Sequence, residues 1–377
     1  MTLIDLDANA TTRPLPEVVE VVARHLRDTW GNPGSRHGLG RQARRVLEDS
    51  RESIAAILGA HPDEVVFTSG GTEASNMAIL GLARGPAGTL LLSPAEHPAT
   101  LEACRVLQQR GWTLHKLPVD NQGQLTAPPE VTAQLAAILL AHNETGVVQP
   151  VGHISDLCRN ANVPVHLDAV QAVGKIPINF HALGPTTLSF GAHKFHGPRG
   201  IGGLLVKRGT RLVPLLHGGH QERERRPGTE PVPLIAGMAK ALELWSRDHE
   251  QRTRHLATLR DKLQAELARR CVPVVIHGEH APRLPNTLNI AFPGLDGEAL
   301  LVALDLEGIC CSLGSTCASG SMEPAPILVA MGCPSEVSRA SVRFSVSIEN
   351  TAAEIDEAID RISTVVARLR NSAGAAG

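Results

Sequence analysis

The sequence predicts an α/β fold, a mostly parallel sheet flanked by helices, joined to a smaller α+β domain. Three observations lead there. Short apolar runs recur between helical stretches, the pattern of a parallel sheet covered on both faces. A long, charge-rich helical segment from Leu242 to Arg270 then breaks the series. Beyond it the strands shorten, and 377 residues are enough for one large domain and one smaller. The expected division is 13–250 for the large domain, with 1–12 and 251–377 forming the smaller one.

The elements follow in order. Glu17 to Arg27 carries Val18, Val21, Val22 and Leu26 on one helical face, and Arg41 to Leu58 repeats the pattern with Ala43, Val46, Leu47, Ile54 and Leu58. Strand-like runs come at Glu64–Thr68, Thr89–Ser93, Ala137–Ala141, Val163–Asp168, Thr186–Phe190 and Gly202–Val206. After the long helix, Thr287–Ala291 and Val342–Ser345 read as strands and Ala352–Leu369 as a final amphipathic helix. Ser372–Gly377 reads as a frayed tail, and no internal repeat is visible.

Composition narrows the function. Thirty-six basic against thirty-eight acidic residues give a net charge of −2 with no long run of either sign, which argues against nucleic-acid or membrane-surface partners. No stretch of about eighteen apolar residues exists to span a bilayer. The start, Met1 to Asp7, is acidic and unlike a signal peptide. Seven cysteines at scattered spacings suit a reducing cytosol, so a cytoplasmic location is expected. Cys310, Cys311 and Cys317 lack the paired spacing of a zinc site, and no metal is expected.

The chemistry concentrates at strand ends. Val163–Asp168 ends in a carboxylate and Thr186–Phe190 runs into Gly191-Ala192-His193-Lys194. Ligands of open α/β sheets sit beyond such carboxyl ends. A lysine desolvated there deprotonates readily and can form a Schiff base, while an aspartate can hold a pyridinium nitrogen. Together Lys194 and Asp168 match the grip on pyridoxal 5'-phosphate. Gln171 would face the same cleft and reach a phenolic oxygen.

Thr68-Ser69-Gly70-Gly71-Thr72-Glu73 follows a strand and opens a helix. It reads as a phosphate cradle or as an ordinary capped turn. His97, at another strand end, could stack on a ring and shuttle protons, or be structural. Asn143 follows Ile138–Leu140 in the same way. Arg226-Pro227-Gly228-Thr229 reads as a phosphate contact or a solvated loop. Cys311 to Ser321 is a loop of small residues with Cys317 near its middle, exposed and potentially reactive. Cys104, Cys158 and Cys271 suit burial better. Arg343, inside an apolar strand, needs a partner such as a substrate carboxylate gripped bidentately.

In this order the residues resemble the cysteine desulfurases, fold-type-I pyridoxal-phosphate enzymes of the class-V aminotransferase kind. The resemblance runs from Leu6-Asp7-Ala8-Asn9-Ala10-Thr11-Thr12 and Gly31-Asn32-Pro33 through Asn143-Glu144-Thr145-Gly146 and His193-Lys194 to Val342-Arg343-Phe344-Ser345. It implies Lys194 as Schiff-base lysine, Asp168 as pyridinium partner, Gln171 on the ring oxygen and His97 stacked on the ring. It also implies Gly71, Thr72 and His193 on the phosphate, with Thr229 from the other subunit of a homodimer. Asn143 and Arg343 would bind the carboxylate of L-cysteine, and Cys317 would take its sulfur as a persulfide.

The loop has the longer form, with Met322-Glu323-Pro324 after it. It resembles the group that passes sulfur to an acceptor protein for iron–sulfur cluster assembly or tRNA thiolation. Gly191, where the family usually has a serine phosphate ligand, and Val346-Ser347-Ile348, where it reads Leu-Gly-Arg, are departures. Selenocysteine lyase, or a cofactor-bound sulfur-transfer scaffold of low activity, are the alternative readings.

Overall fold

The computed structural model describes residues 2–126, 132–313 and 324–374. The chain opens with β1 (Ile4–Asp5) and the helices α1 (Pro16–Asp28) and α2 (Gly38–Ile57). Proline at the first turn of α1 suits its unpaired N–H position, and Glu17 favours the positive end of the helix dipole.

Seven strands make the large sheet: β2 (Val65–Thr68), β3 (Thr89–Leu92), β4 (Thr113–Lys116), β5 (Leu135–Leu139), β6 (Val165–Asp168), β7 (Thr187–Gly191) and β8 (Gly202–Val206). Their order is β2-β8-β7-β6-β5-β3-β4, parallel except that β8 runs antiparallel to both neighbours. Every residue of β2, β5, β6, β7 and β8 is buried. Helices cover both faces, so continuous apolar runs are needed rather than alternation. The edge strand β4 is mostly exposed. With a single apolar residue, Leu114, it carries no pattern that the sequence analysis could detect.

Helices α3 (Gly71–Leu82), α4 (Pro98–Gln109) and α5 (Val151–Asn160) and the single turn α6 (Phe180–Leu183) connect these strands. The helix α7 (Val232–Arg270) then runs 39 residues, about 58 Å at 1.5 Å per residue. Its first half packs Ile235, Met238 and Leu242 into the core beneath the large sheet. Its second half packs Leu256, Leu259, Leu263 and Leu267 into a separate core.

Around that second core lie β9 (Val275–Ile276), β10 (Thr287–Ala291), α8 (Gly297–Leu306), β11 (Ile309–Cys310), β12 (Ser312–Leu313), β13 (Ser341–Ser345) and α11 (Ala352–Gly374). Of the short helices α9 (Pro326–Ala330) and α10 (Ser335–Arg339) that precede β13, α9 packs Ile327 and Leu328 against Ala95 in a separate cluster. The antiparallel order is β12-β13-β10-β9. Strand β1 pairs in parallel with β11, and Ile4 and Leu6 join the second core. The pair forms its own two-stranded sheet, and a parallel bridge from Asp7 to Ser345 of β13 ties the N-terminal segment to the small sheet. No helix among the described residues is long and apolar enough to cross a membrane.

Candidate active site

The carboxyl ends of the central strands open onto a cavity of about 260 Å³. Gly71, Thr72, His97, Asn143, Asp168, Gln171, His193 and Lys194 all line it. The structure thus gathers eight predicted site residues from five separate stretches of chain.

Lys194 closes the short turn after β7. Its Nζ donates to the carbonyls of Asn9 at 2.7 Å and Ala10 at 2.8 Å, and no carboxylate pairs with it among the described residues. Burial, then the positive charge of Arg343, lower its pKa to about 8, against the pull of Asp7, Asp168 and Glu144. The amine is poised to lose its proton near neutrality, as a nucleophilic lysine requires.

Asp168 ends β6, 2 % exposed. Its oxygens accept from the Val170 N–H at 3.0 Å and the Thr100 hydroxyl at 3.3 Å. No lysine or arginine salt-bridges it among the described residues. Burial raises its pKa, and His97 works against that rise. A buried carboxylate without a cation is costly, and a protonated ring nitrogen is the partner that the position fits. His97 caps α4, its Nδ1 accepting from the Ala99 N–H at 3.1 Å. That leaves Nε2 as the protonated nitrogen of a neutral ring. Its side chain lines the cavity, and burial by the surrounding protein holds its pKa down.

Gly71 and Thr72 form the first turn of α3, where free N–H groups and the helix dipole favour an anion. A Cβ on Gly71 would lie 2.5 Å from a methyl of Val170, so glycine is needed for this close packing. His193 Nδ1 sits 3.1 Å from the Thr11 hydroxyl. Its pKa falls to about 4, chiefly through burial and then through Lys194, so it meets an anion as a neutral donor. These features fit a phosphate, and with Lys194 and Asp168 the donor set fits pyridoxal 5'-phosphate.

Several expectations need qualification. Arg343 is buried in β13, but it bridges protein carboxylates. Nη2 donates to Asp7 Oδ1 at 2.6 Å and Nη1 to Glu144 Oε1 at 3.0 Å. Among the described residues its Nε and Glu144 Oε2 have no partner, so the site retains hydrogen-bonding capacity for a further group. Asn143 Nδ2 donates to Glu144 Oε1 at 2.7 Å. Gln171 already binds protein on both ends of its amide. Arg226 pairs with Glu73 at 2.8 Å rather than standing free for a phosphate, so it ties its loop to the first turn of α3. Thr229 is exposed and lies outside the cavity of its own chain.

Cys317 lies outside the described residues. The six other thiols all have raised pKa values, chiefly from burial. Cys311 is pushed up to about 12 and Cys104 to about 12. None has the depressed pKa of an activated nucleophile. Cys104, Cys158 and Cys271 are buried, in accord with expectation.

Sequence reasoning missed four functional neighbours. Asp7 and Glu144 pair with Arg343. Lys175 lies four residues after Gln171, a spacing that could have flagged it. Glu96, directly before His97, is buried, and burial lifts its carboxyl to about 8. Among the described residues neither Glu96 oxygen has a well-formed hydrogen bond, although Ser93 is near, and burial keeps the group protonated. Away from the cavity, His61, Glu64 and His181 bring possible metal ligands within 4.8 Å of one another. The Glu64 carboxylate there already accepts from the His61 and Arg208 N–H groups and from His181, the arrangement of a structural cap.

Comparison with known proteins agrees with this geometry. The class-V aminotransferase family matches residues 4–358. The cysteine desulfurase of Trichormus azollae is 44% identical over 377 residues, covering 98% of this chain and 94% of that one. The cysteine desulfurase NifS of Azotobacter vinelandii is 41% identical over 379 residues, covering 98% and 94%. A solved NifS-like protein superposes with a TM-score of 0.88 at 33% identity, covering 98% of this chain and all of that one. With the lysine, the aspartate and the anion cradle at one cavity, and similarity along almost its whole length, the chain belongs to the cysteine desulfurases of the class-V aminotransferase family.

Proposed function

We propose that the chain is a pyridoxal 5'-phosphate-dependent cysteine desulfurase, converting L-cysteine to L-alanine and passing the sulfur on as a persulfide. The observation that carries this reading is one cavity holding a deprotonation-prone lysine and a cation-free buried aspartate beside a helix N-terminus.

Lys194 would anchor the cofactor covalently and Asp168 would hold the ring nitrogen. Gln171 would hold the ring oxygen, and Gly71, Thr72 and His193 the phosphate. His97 would lie against the ring. Bound there, the cofactor supplies an electron sink that weakens bonds at the substrate. Arg343 and Asn143 orient the substrate carboxylate. Once freed by the substrate amine, Lys194 Nζ carries protons between substrate carbons, with His97 Nε2 as a second proton carrier. The Cys317 thiolate attacks the substrate sulfur. An S–S bond forms as the C–S bond breaks, and the carbon takes the electron pair and a proton to give alanine.

The persulfide then goes to a sulfur-acceptor protein, in service of iron–sulfur assembly or tRNA thiolation. A cytoplasmic homodimer, with Thr229 contributed across the interface, completes the reading, as does the division into 13–250 and 1–12 with 251–377.

The test is alanine release from L-cysteine by the cofactor-loaded protein and its Cys317→Ser variant, with L-selenocysteine as a comparison arm. The variant should bind substrate but release no alanine over many turnovers, because a hydroxyl cannot take up sulfur. Mass spectrometry after brief exposure to cysteine should place the added sulfur on the Cys317 peptide. Normal turnover by the variant, or sulfur on Cys310 or Cys311, would defeat the assignment.

A further inference from the structure

Lys175 is 6 % exposed, in the helical turn that follows β6, yet no carboxylate pairs with it among the described residues. Its Nζ donates to Asn9 Oδ1 at 2.6 Å and to Gln171 Oε1 at 2.5 Å. Both acceptors are neutral. Burial, and then the positive charges of Lys194 and Arg343, drive its pKa far down. Lys175 in turn lowers His193 and His196. An amine buried among cations is expensive, and its two hydrogen bonds show what it does.

The Gln171 amide has two nearly isosteric ends, and its partners decide which way round it sits. Nε2 donates to the Asn9 carbonyl at 2.9 Å, and Oε1 accepts from Lys175. Turning the amide over would set its oxygen against the Asn9 carbonyl, a repulsion, and would give up the bond that Oε1 accepts from Lys175. The second Nε2 hydrogen therefore remains for the cavity that Gln171 lines. Asn9 is held as firmly. Its Oδ1 also accepts from Asn286 Nδ2 at 3.0 Å, and its Nδ2 donates to Thr287 Oγ1 at 2.9 Å and to the Asn143 carbonyl at 3.1 Å. The lysine is thus locked to the small sheet as well as to the turn.

We propose that Lys175 is a positioning residue that fixes the Gln171 amide with its N–H offered to the cavity, and so sets the ionisation of the cofactor's ring oxygen. The proposal rests on reading the cavity as a pyridoxal 5'-phosphate site. An anionic ring oxygen is stabilised by an N–H donor and destabilised by a carbonyl. Loss of the orienting amine should therefore favour the protonated form and move its titration upward in pH.

The experiment is a pH titration of the visible absorbance of the cofactor-loaded protein and of Lys175→Met, Gln171→Leu and the double variant. Each single substitution should raise the transition by about one pH unit, the worth of one hydrogen bond to a charged group. The double variant should move no further than Gln171→Leu alone. If Lys175→Met does not fold, Lys175→Gln carries the same comparison, with a shift in the same direction. A titration unchanged by loss of Lys175 would overturn the proposal. Single shifts that simply add in the double variant would also overturn it, because Lys175 would then act independently of Gln171. No visible band in the unsubstituted protein would instead overturn the cofactor reading on which the proposal stands.

Discussion

Lys194 is the residue whose surroundings change its chemistry most directly. With its pKa at about 8, about a tenth of the amine is neutral at pH 7, against under about 0.1% for an ordinary lysine. Only the neutral form attacks an aldehyde. Cofactor capture by the cofactor-free protein should therefore accelerate about tenfold per pH unit below pH 8 and level off above it. Absorbance kinetics read this directly, and a rate still climbing at pH 10 would mean an unperturbed lysine. Lys194→Ala should lose the visible band on dialysis and all turnover; a retained band would assign the anchor to another lysine. Arg343 acts through geometry instead. Its planar fork spans Asp7 and Glu144, which a lysine's single ammonium cannot reproduce. Arg343→Lys should raise KM for cysteine about tenfold or more. An unchanged KM in steady-state kinetics would remove Arg343 from substrate binding.

At the scale of elements, the site exists because strands β5, β6 and β7 end side by side and α3 begins beside them. Gly191, the last residue of β7, lies where a phosphate ligand is usual in the family. Its backbone is extended, φ −137° and ψ 127°, a conformation that any residue adopts. A Cβ there would be in ordinary contact, 3.4 Å from the Gly71 nitrogen at the head of α3. Gly191→Ser should therefore fold unchanged and place a hydroxyl at the anion cradle. Dialysis should show the cofactor lost about tenfold more slowly, the effect of one charge-assisted hydrogen bond of about 1.5 kcal/mol. Equal or faster loss would show that the cradle is complete without it. The strands Gly202–Val206 and Thr287–Ala291 match their sequence-based bounds, because buried runs between turn residues are a local signal. The direction of β8 is not such a signal, since an apolar run reads the same either way.

The whole molecule carries a common pH liability. Burial lowers the pKa of His142, His193, His196 and His277 to about 4, and that of His166 to about 3. In the unfolded chain all five titrate near 6.5. Between these values the unfolded state binds more protons, so the stability contributed by neutral burial is present above about pH 6.5 and is lost as pH falls toward 4. Glu96 works the other way, since its raised pKa favours the folded state as pH falls from 8, and the raised carboxyls of Asp168 and Glu144 act in the same sense, but the five histidines outnumber these three. The thermal midpoint of the cofactor-free protein should drop by about 10 °C between pH 7 and pH 5. A flat midpoint would show that these histidines are not buried neutral. The exposed Thr229 is expected to matter only across a dimer interface, so light scattering at micromolar concentration should give twice the 40.0 kDa chain mass. A fully active monomer would contradict this.

The sequence by itself determined the buried strands of the large sheet, though not β4 or the direction of β8, the long helix, and the lysine and aspartate proposed to anchor the cofactor. Each of these is written in a contiguous stretch: period, turn residues, or a lysine and an aspartate at strand ends. Only the tertiary structure decided what holds those groups in place. Arg343 meets Asp7 from 336 residues away, and Asn9 joins Lys175, Gln171 and Lys194 to the small sheet across comparable separations. A buried polar group takes whichever partner the fold brings within about 3 Å. That choice depends on how two cores pack along α7, and no local pattern of residues encodes it.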